Sequence, residues 1–238
     1  DGLIIVDRSD QCDIKMRIFN ADGSEADMCG NGVRAFCKFV YERGIVKNTE
    51  FEVETRAGVM RPQLFTDAGI VTAVRVDMGL PSFDRSSIPM KGTGTFISQS
   101  LKASDRTFTA TSLLMGVPHT VVFADDAAAL PLEKYGPVIE QSELYPKGTN
   151  VNFVNVVDEH NIEVRTWERG CGPTLACGTG ASASLIASAL SGLTVRKVTA
   201  HLVLGSLNIE WQTDGRVFMT GPAAIVYDGE IEGGKLNE

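Results

Sequence analysis

Two short stretches of the chain begin alike. Met28-Cys29-Gly30-Asn31-Gly32 and Ala176-Cys177-Gly178-Thr179-Gly180 both read Cys-Gly-x-Gly, with the two cysteines 148 positions apart. Each stretch opens a helical pattern. After the first, Val33, Phe36, Cys37, Val40 and Tyr41 fall at i, i+3, i+4, i+7 and i+8. That single apolar stripe predicts a helix over Gly30–Arg43, stopped by Gly44. After the second, Leu185, Ile186, Ala189 and Leu190 mark a helix over Gly178–Leu190. Its many Ala and Ser residues allow close approach on every side, as suits a helix inside a curved sheet. Elsewhere the two halves share little, which excludes a short-period solenoid. Two domains of similar design are expected, each presenting a cysteine at the start of its central helix.

The rest of the chain reads mostly as strands and turns. Strand-like segments are Lys15–Phe19, Phe51–Thr55, Val71–Asp77, Phe108–Ser112, Thr120–Phe123, Asn152–Val157, Ile162–Trp167, Val198–Leu204, Leu207–Trp211 and Val217–Thr220. Few are separated by long helical patterns, so a parallel βαβ architecture is disfavoured and mainly antiparallel sheet with a few helices is expected, an α+β fold. A third helix around Leu132–Glu143 fits less well, since Pro137 suits only a start or a kink. At the other end, Asp1-Gly2 leads into Leu3-Ile4-Ile5-Val6, which reads as a buried strand and has none of the features of a signal peptide.

Composition narrows the function. The 238 residues carry 22 Lys and Arg against 30 Asp and Glu, a net charge of −8, which argues against nucleic-acid binding. The richest apolar stretch, Ala181–Leu193, is broken by four serines and a glycine, so no membrane span is expected. Five cysteines at irregular spacing, with no Cys-x-x-Cys pair and three scattered histidines, fit neither a disulfide framework nor a structural zinc site. No metal is expected, and a reducing, cytoplasm-like compartment fits best, with a plastid interior equally compatible.

Helix starts carry unsatisfied N–H groups and roughly half a positive charge. A cysteine there gains thiolate character, and glycines beside it leave N–H groups open to a carboxylate. Two such ends facing each other would hold one carboxylate between two thiols. One thiolate could remove a proton from the adjacent carbon while the other thiol delivered one to the opposite face. A single Cys-Gly-x-Gly is more often packing than catalysis, and a redox or binding dithiol is the rival reading of the pair.

The surrounding residues carry a resemblance. Asn20-Ala21-Asp22-Gly23-Ser24-Glu25 followed by Met28–Arg34, and Trp167-Glu168-Arg169-Gly170 leading into Ala176–Ala181, resemble the diaminopimelate epimerase family. So do Asp77-Met78-Gly79, Met115–His119, Thr149-Asn150-Val151 and Thr220-Gly221-Pro222-Ala223, in the same order. The resemblance implies two similar α+β domains, each a mainly antiparallel sheet wrapped around a central helix, with the active site in the cleft between them. It implies residues 1–79, completed by 223–238, as one domain and 80–222 as the other. It further implies cofactor-free interconversion of LL- and meso-diaminopimelate in lysine and peptidoglycan precursor synthesis.

Residue roles come with the resemblance. Cys29 and Cys177 are the implied acid/base pair, Cys177 accepting and Cys29 donating from LL to meso. Gly30, Asn31, Gly178 and Thr179 would offer donors to the reacting carboxylate. Asn20, Asn150 and Arg169 would grip the distal amino-acid end, the Arg fork suiting a carboxylate. Glu168 would face an ammonium, and His119 would help poise the thiols. A homodimer is implied, with Tyr227 at a dimer contact. A related proline-type racemase is the near alternative, and Asn31 with Glu168-Arg169 argues against it.

Three departures stand out. The resemblance implies a further N-terminal segment of about 45 residues before Asp1-Gly2, supplying a strand and a substrate-binding Asn, so the first domain is expected to be incomplete. Val117 stands where many members have a substrate-touching Asn. Pro173 replaces a frequent Glu. Cys37 fits a helix core, while Cys12 and Cys171 have no assigned role.

Overall fold

The computed structural model describes residues 2–229. Its strands are β1 (Gly2–Asp7), β2 (Ile14–Asn20), β3 (Glu25–Ala26), β4 (Val53–Thr55), β5 (Gly58–Met60), β6 (Gln63–Asp67), β7 (Ile70–Gly79) and β8 (Phe96–Ala103). Then follow β9 (Arg106–Met115), β10 (Val117–Phe123), β11 (Asn150–Asp158), β12 (Asn161–Glu168), β13 (Gly172–Thr174), β14 (Lys197–Leu202), β15 (Gly205–Trp211) and β16 (Val217–Gly221). The helices are α1 (Gly30–Glu42), α2 (Leu132–Glu140) and α3 (Gly178–Leu190). The two cysteine-led helices thus start and stop as their periodicity demands. Helix α2 ends three residues short of the expected Glu143 and keeps Pro137 inside its nine residues.

The strands form two sheets. A small one runs β1-β2-β4-β5 with β3 beside β2, and a large one runs β6-β7-β16-β15-β14-β12-β11-β10-β9-β8 with β13 beside β12. Pairing is antiparallel except at β2/β4, β10/β11 and β12/β14, which bears out the α+β expectation. Strand β7 ends at Gly79 and pairs with β16, so the large sheet takes in residues from both sides of the expected 79/80 division. The stretch 223–238 is described only as far as 229.

One apolar cluster joins the two sheets and the two helices, from Ile14, Met16 and Val33 through Val74 and Val76 to Leu185, Ile186 and Ile209. Helix α3 is wrapped by β9–β12 and β14–β16, and Gly180–Ser188 are all buried. Three serines survive there because each hydroxyl donates four residues back: Ser182 to Gly178 O, Ser184 to Gly180 O, Ser188 to Ser184 O. Helix α1 lies between the small sheet and β7. Lys38 Nζ donates to Val71 O at 3.0 Å, and Glu42 accepts from Val71 N at 2.8 Å. A second cluster, including Phe108, Tyr135 and Phe153, fills the opposite face of the large sheet beneath α2.

Strand β1 corrects one expectation. Its apolar run is not buried: Leu3 is 61% exposed, and the strand lies at the edge of the small sheet. Only Ile4 and Val6 pack against the core, the alternation of a strand with one covered face.

Candidate active site

Both motif cysteines are helix N-caps with extended backbone: Cys29 at φ −141° and ψ 116°, Cys177 at φ −129° and ψ 110°. The first glycine of each motif meets the same side chain. A Cβ on Gly30 would stand 3.2 Å from Met219 Cε, and one on Gly178 would stand 2.7 Å from Met219 Sδ. Asn31 closes the gap from the other side, its amide donating to Ala176 O at 3.4 Å. The two helix starts, far apart in sequence, therefore meet around Met219 and Asn31, as the paired motif demands. A cavity of about 530 Å³ opens beside the Cys29 end, lined among others by Met28, Met78, Asp77 and Arg216.

A second group of polar residues reaches the same place through strand register. His119 on β10 stands opposite Asn150 on β11, and Asn152, two residues on, stands opposite Thr166 on β12. Side chains two apart share a sheet face, so His119, Asn150, Asn152, Thr166 and Glu168 all lie on the face that carries α3. Asn152 Nδ2 lies 3.1 Å from His119 Nδ1, and Asn152 Oδ1 accepts from Thr166 Oγ1 at 3.0 Å. Glu168 accepts from Thr174 Oγ1 at 2.8 Å. Asn150 Oδ1 accepts the Arg169 backbone N–H at 2.8 Å.

The electrostatics bear on the gain in acidity expected of a cysteine at a helix start. Burial, then the neighbouring Glu168 carboxylate, pushes the Cys177 thiol up to about 12, against the pull of the Thr179 hydroxyl 3.5 Å from the sulfur. Cys177 is thus held as a thiol, and the expected gain in acidity is overturned at this site. Cys29 is exposed, and its sulfur accepts the Gly32 N–H at 3.4 Å. His119 is wholly enclosed; burial and the Arg169 charge depress it to about 3, so the ring is neutral. Cys37 is a buried core residue whose thiol burial pushes up to about 12, as its place in the helix stripe suggests.

Not every expected residue gathers here. Asn20 is exposed at the end of β2, its amide turned to Ser24 Oγ at 2.9 Å. The Arg169 guanidinium donates to Lys147 O at 2.9 Å and lies against Gly148, lining a separate cavity of about 390 Å³. Tyr227 is 84% exposed and lines a surface cavity with Phe36 and Phe39 of α1. Val117 is partly exposed at the start of β10, and Pro173 pairs with Trp167 in β13. Two neighbours carry no motif signal, Asn152 and Met219, while Arg34 closes the first motif with no role assigned to it. Arg34 is buried and donates to Gly30 O and Pro222 O, tying the Cys29 helix to the end of β16.

Comparison with known proteins accords with this arrangement. The family model described as diaminopimelate epimerase matches residues 1–83 and 111–226. A diaminopimelate epimerase of Caldanaerobacter subterraneus is 51% identical over 233 residues, 98% of this chain and 85% of that protein. One from Methanococcus maripaludis is 44% identical over 234 residues, 98% of this chain and 84% of that protein. Among solved structures, a phenazine biosynthesis protein of the PhzF family from Bacillus anthracis aligns with a TM-score of 0.64 at 17% identity, covering 93% of this chain and 81% of that one. A probable proline racemase from Agrobacterium radiobacter K84 aligns at 0.64 and 18%, covering 95% of this chain and 76% of that one. At such identity the two structures share the fold alone. Two cysteine-capped helices meeting at one methionine, in a chain matched along nearly its whole length by these relatives, belong to a member of the diaminopimelate epimerase family.

Proposed function

We propose that this chain interconverts LL- and meso-diaminopimelate, with Cys29 and Cys177 as the two acid/base groups. The observation that carries the reading is the meeting of two cysteine-capped helix starts at Met219 and Asn31. A carboxylate seated between them would accept N–H groups from both helices, which stabilises the charge that develops when the α-proton leaves. From LL to meso, Cys177 takes the α-proton and Cys29 returns one to the opposite face; from meso to LL the roles reverse. Each direction begins from its own protonation state, and a resting thiol at Cys177 is the state ready for meso to LL. An ammonium group of the substrate beside Glu168 would offset the carboxylate that holds the Cys177 proton, which readies the opposite direction. Such a reaction places the chain in lysine and peptidoglycan precursor synthesis. Arg169 and Asn150 are proposed to hold the distal end, and exposed Tyr227 to meet a second copy in a cytoplasmic homodimer.

The test is proton exchange. With LL-diaminopimelate in D2O, deuterium should enter the product α-carbon, and Cys29→Ala or Cys177→Ala should each lower kcat by at least about 10³-fold with the fold retained by circular dichroism. Unlabelled product, or substantial turnover in either variant, would overturn the two-base reading. Racemisation of proline with diaminopimelate left unchanged would move the substrate to another class.

A further inference from the structure

His119 carries an unresolved account of its two nitrogens. The ring is wholly enclosed and neutral, so it holds one N–H and one lone pair. Nδ1 is paired with Asn152 Nδ2 at 3.1 Å, while Nε2 has no partner among the described residues. Which nitrogen holds the proton is decided by the way the Asn152 amide faces.

The helix beside Asn152 decides that, since the Thr166 hydroxyl can pair with either amide atom. Asn152 Oδ1 accepts from the Thr166 hydroxyl at 3.0 Å, and it lies against Gly180, where a Cβ would stand 2.3 Å from it. Gly180 belongs to the first turn of α3, where the positive end of the helix dipole favours an oxygen over an NH2 group. The oxygen therefore faces the helix and the NH2 faces the imidazole. An NH2 donates, so Nδ1 must accept, and the ring proton stays on Nε2.

We propose that Asn152 is a positioning residue: through the Thr166–Asn152–His119 chain it fixes His119 as the Nε2–H tautomer and ties that tautomer to the start of the Cys177 helix. The consequence is a change in what His119 can do. A neutral ring with its proton on Nε2 presents a hydrogen-bond donor on the one nitrogen left free, and cannot take up a proton there. A buried donor without an acceptor is costly, and an anionic partner in the site, a thiolate or the reacting carboxylate, would recover that cost. His119 thus serves as a fixed donor. The proton relay belongs to the cysteines. This deepens the proposed function and rests on it at one point, that His119 serves the thiols.

The experiment is two-bond proton–nitrogen NMR of the full chain labelled with 15N at histidine, the His119 signals being those lost in His119→Gln. The wild-type chain should show an unprotonated Nδ1 and a protonated Nε2. In Asn152→Asp the carboxylate accepts instead of donating, so the pattern should swap to Nδ1–H, and kcat should fall by about 10²-fold with KM little changed, as expected when a tautomer is reversed. In Asn152→Ala the two tautomers should mix. A protonated Nδ1 in the wild-type chain, or an unswapped pattern in folded Asn152→Asp, overturns the proposal. The wild-type spectrum decides even if the variants do not fold. A swapped tautomer with unchanged kcat would leave the role of Asn152 standing and overturn instead the reading that His119 serves the thiols.

Discussion

The Cys29 and Cys177 helix starts share a motif and a backbone, yet they hold their sulfurs in opposite surroundings. Cys29 is exposed, with the Gly32 N–H on its sulfur and the buried Arg34 guanidinium against the carbonyl of the next residue. Cys177 is 7% exposed, with the Glu168 carboxylate beside it. Helix α1 has one apolar stripe and an outer face with Ala35 and Phe39 open to solvent, whereas α3 is enclosed by the large sheet. The difference teaches that Cys-Gly-x-Gly determines where a thiol sits, while strands distant in sequence determine whether it holds its proton. For a reaction that needs one acid and one base, identical surroundings would be the worse arrangement.

The largest expected contrast lies at the last glycine of each motif. A Cβ at Gly180 would stand 2.3 Å from Asn152 Oδ1, an atom held by the Thr166 hydroxyl, and 3.2 Å from Cys177 Sγ. A Cβ at Gly32 would stand 2.9 Å from Ile4 Cδ1, the tip of a half-buried side chain on an edge strand. Gly180→Ala should therefore cost about 2–3 kcal/mol in urea unfolding, as overpacking at a rigid site does. Gly32→Ala should fall within about 1 kcal/mol of the parent, because Ile4 can turn aside and alanine gains roughly 1 kcal/mol of helix propensity. Equal losses would erase the distinction between a rigid and a yielding helix start.

The next contrast concerns protons. Replacing Glu168 by Gln removes the carboxylate that, after burial, does most to hold the Cys177 proton. The Cys177 pKa should fall, so alkylation of that thiol at pH 8 should quicken several-fold, on the order of tenfold. The Cys29 rate, followed by peptide mapping, should stay put. Equal acceleration at both cysteines would show that Glu168 acts on the whole cleft. His119 gives the complementary signature. Its folded pKa, near 3, lies below the ordinary value of 6.5, so the unfolded chain binds the proton more readily. Its contribution to stability is full above about pH 6.5 and declines by up to about 1.4 kcal/mol per pH unit as the pH falls toward 3. His119→Gln should flatten that part of the pH–stability curve.

Much of this was legible along the chain, and the parts that were not share a cause. Helix α1 and helix α3 end where their periodicity and the glycine after α1 place them, because caps and stripes are local. Strand β8 was not legible: Ser98-Gln99-Ser100 interrupts its apolar alternation where Ser98 takes φ +50° at a register shift against β9. The two-residue β3 and three-residue β5 and β13 are too short to show a period. The apolar run of β1 read as buried, yet only pairing could reveal that it lies at a sheet edge. At the site, Cys29 and Cys177 stood out by repetition. Asn152 is one polar residue in a strand, and its meaning comes from standing opposite Thr166 and diagonal to His119, a matter of register. The raised Cys177 pKa is hidden in the sequence for the same reason. Glu168 lies nine positions before Cys177, and the β12–β13 turn is what folds it back.

The smallest contrast tests how deep the likeness between the helices runs. The residue five after each cysteine makes the same bond: Arg34 Nη1 to Gly30 O at 3.4 Å, Ser182 Oγ to Gly178 O at 3.0 Å. Ser182 does nothing further, and its bond duplicates the helical N–H already on that carbonyl. Ser182→Ala removes the buried hydroxyl together with its need for a partner and adds a better helix former, so stability should change by less than about 1 kcal/mol. Arg34 also donates to Pro222 O, 188 positions away, so Arg34→Met leaves that carbonyl without its donor and loosens the tie between α1 and the end of β16. It should cost more than Ser182→Ala, about 1–3 kcal/mol. If the serine proves the costlier of the two, the likeness at this position is only geometric, and the enclosed helix depends on its hydroxyls more than the half-exposed helix depends on its buried cation.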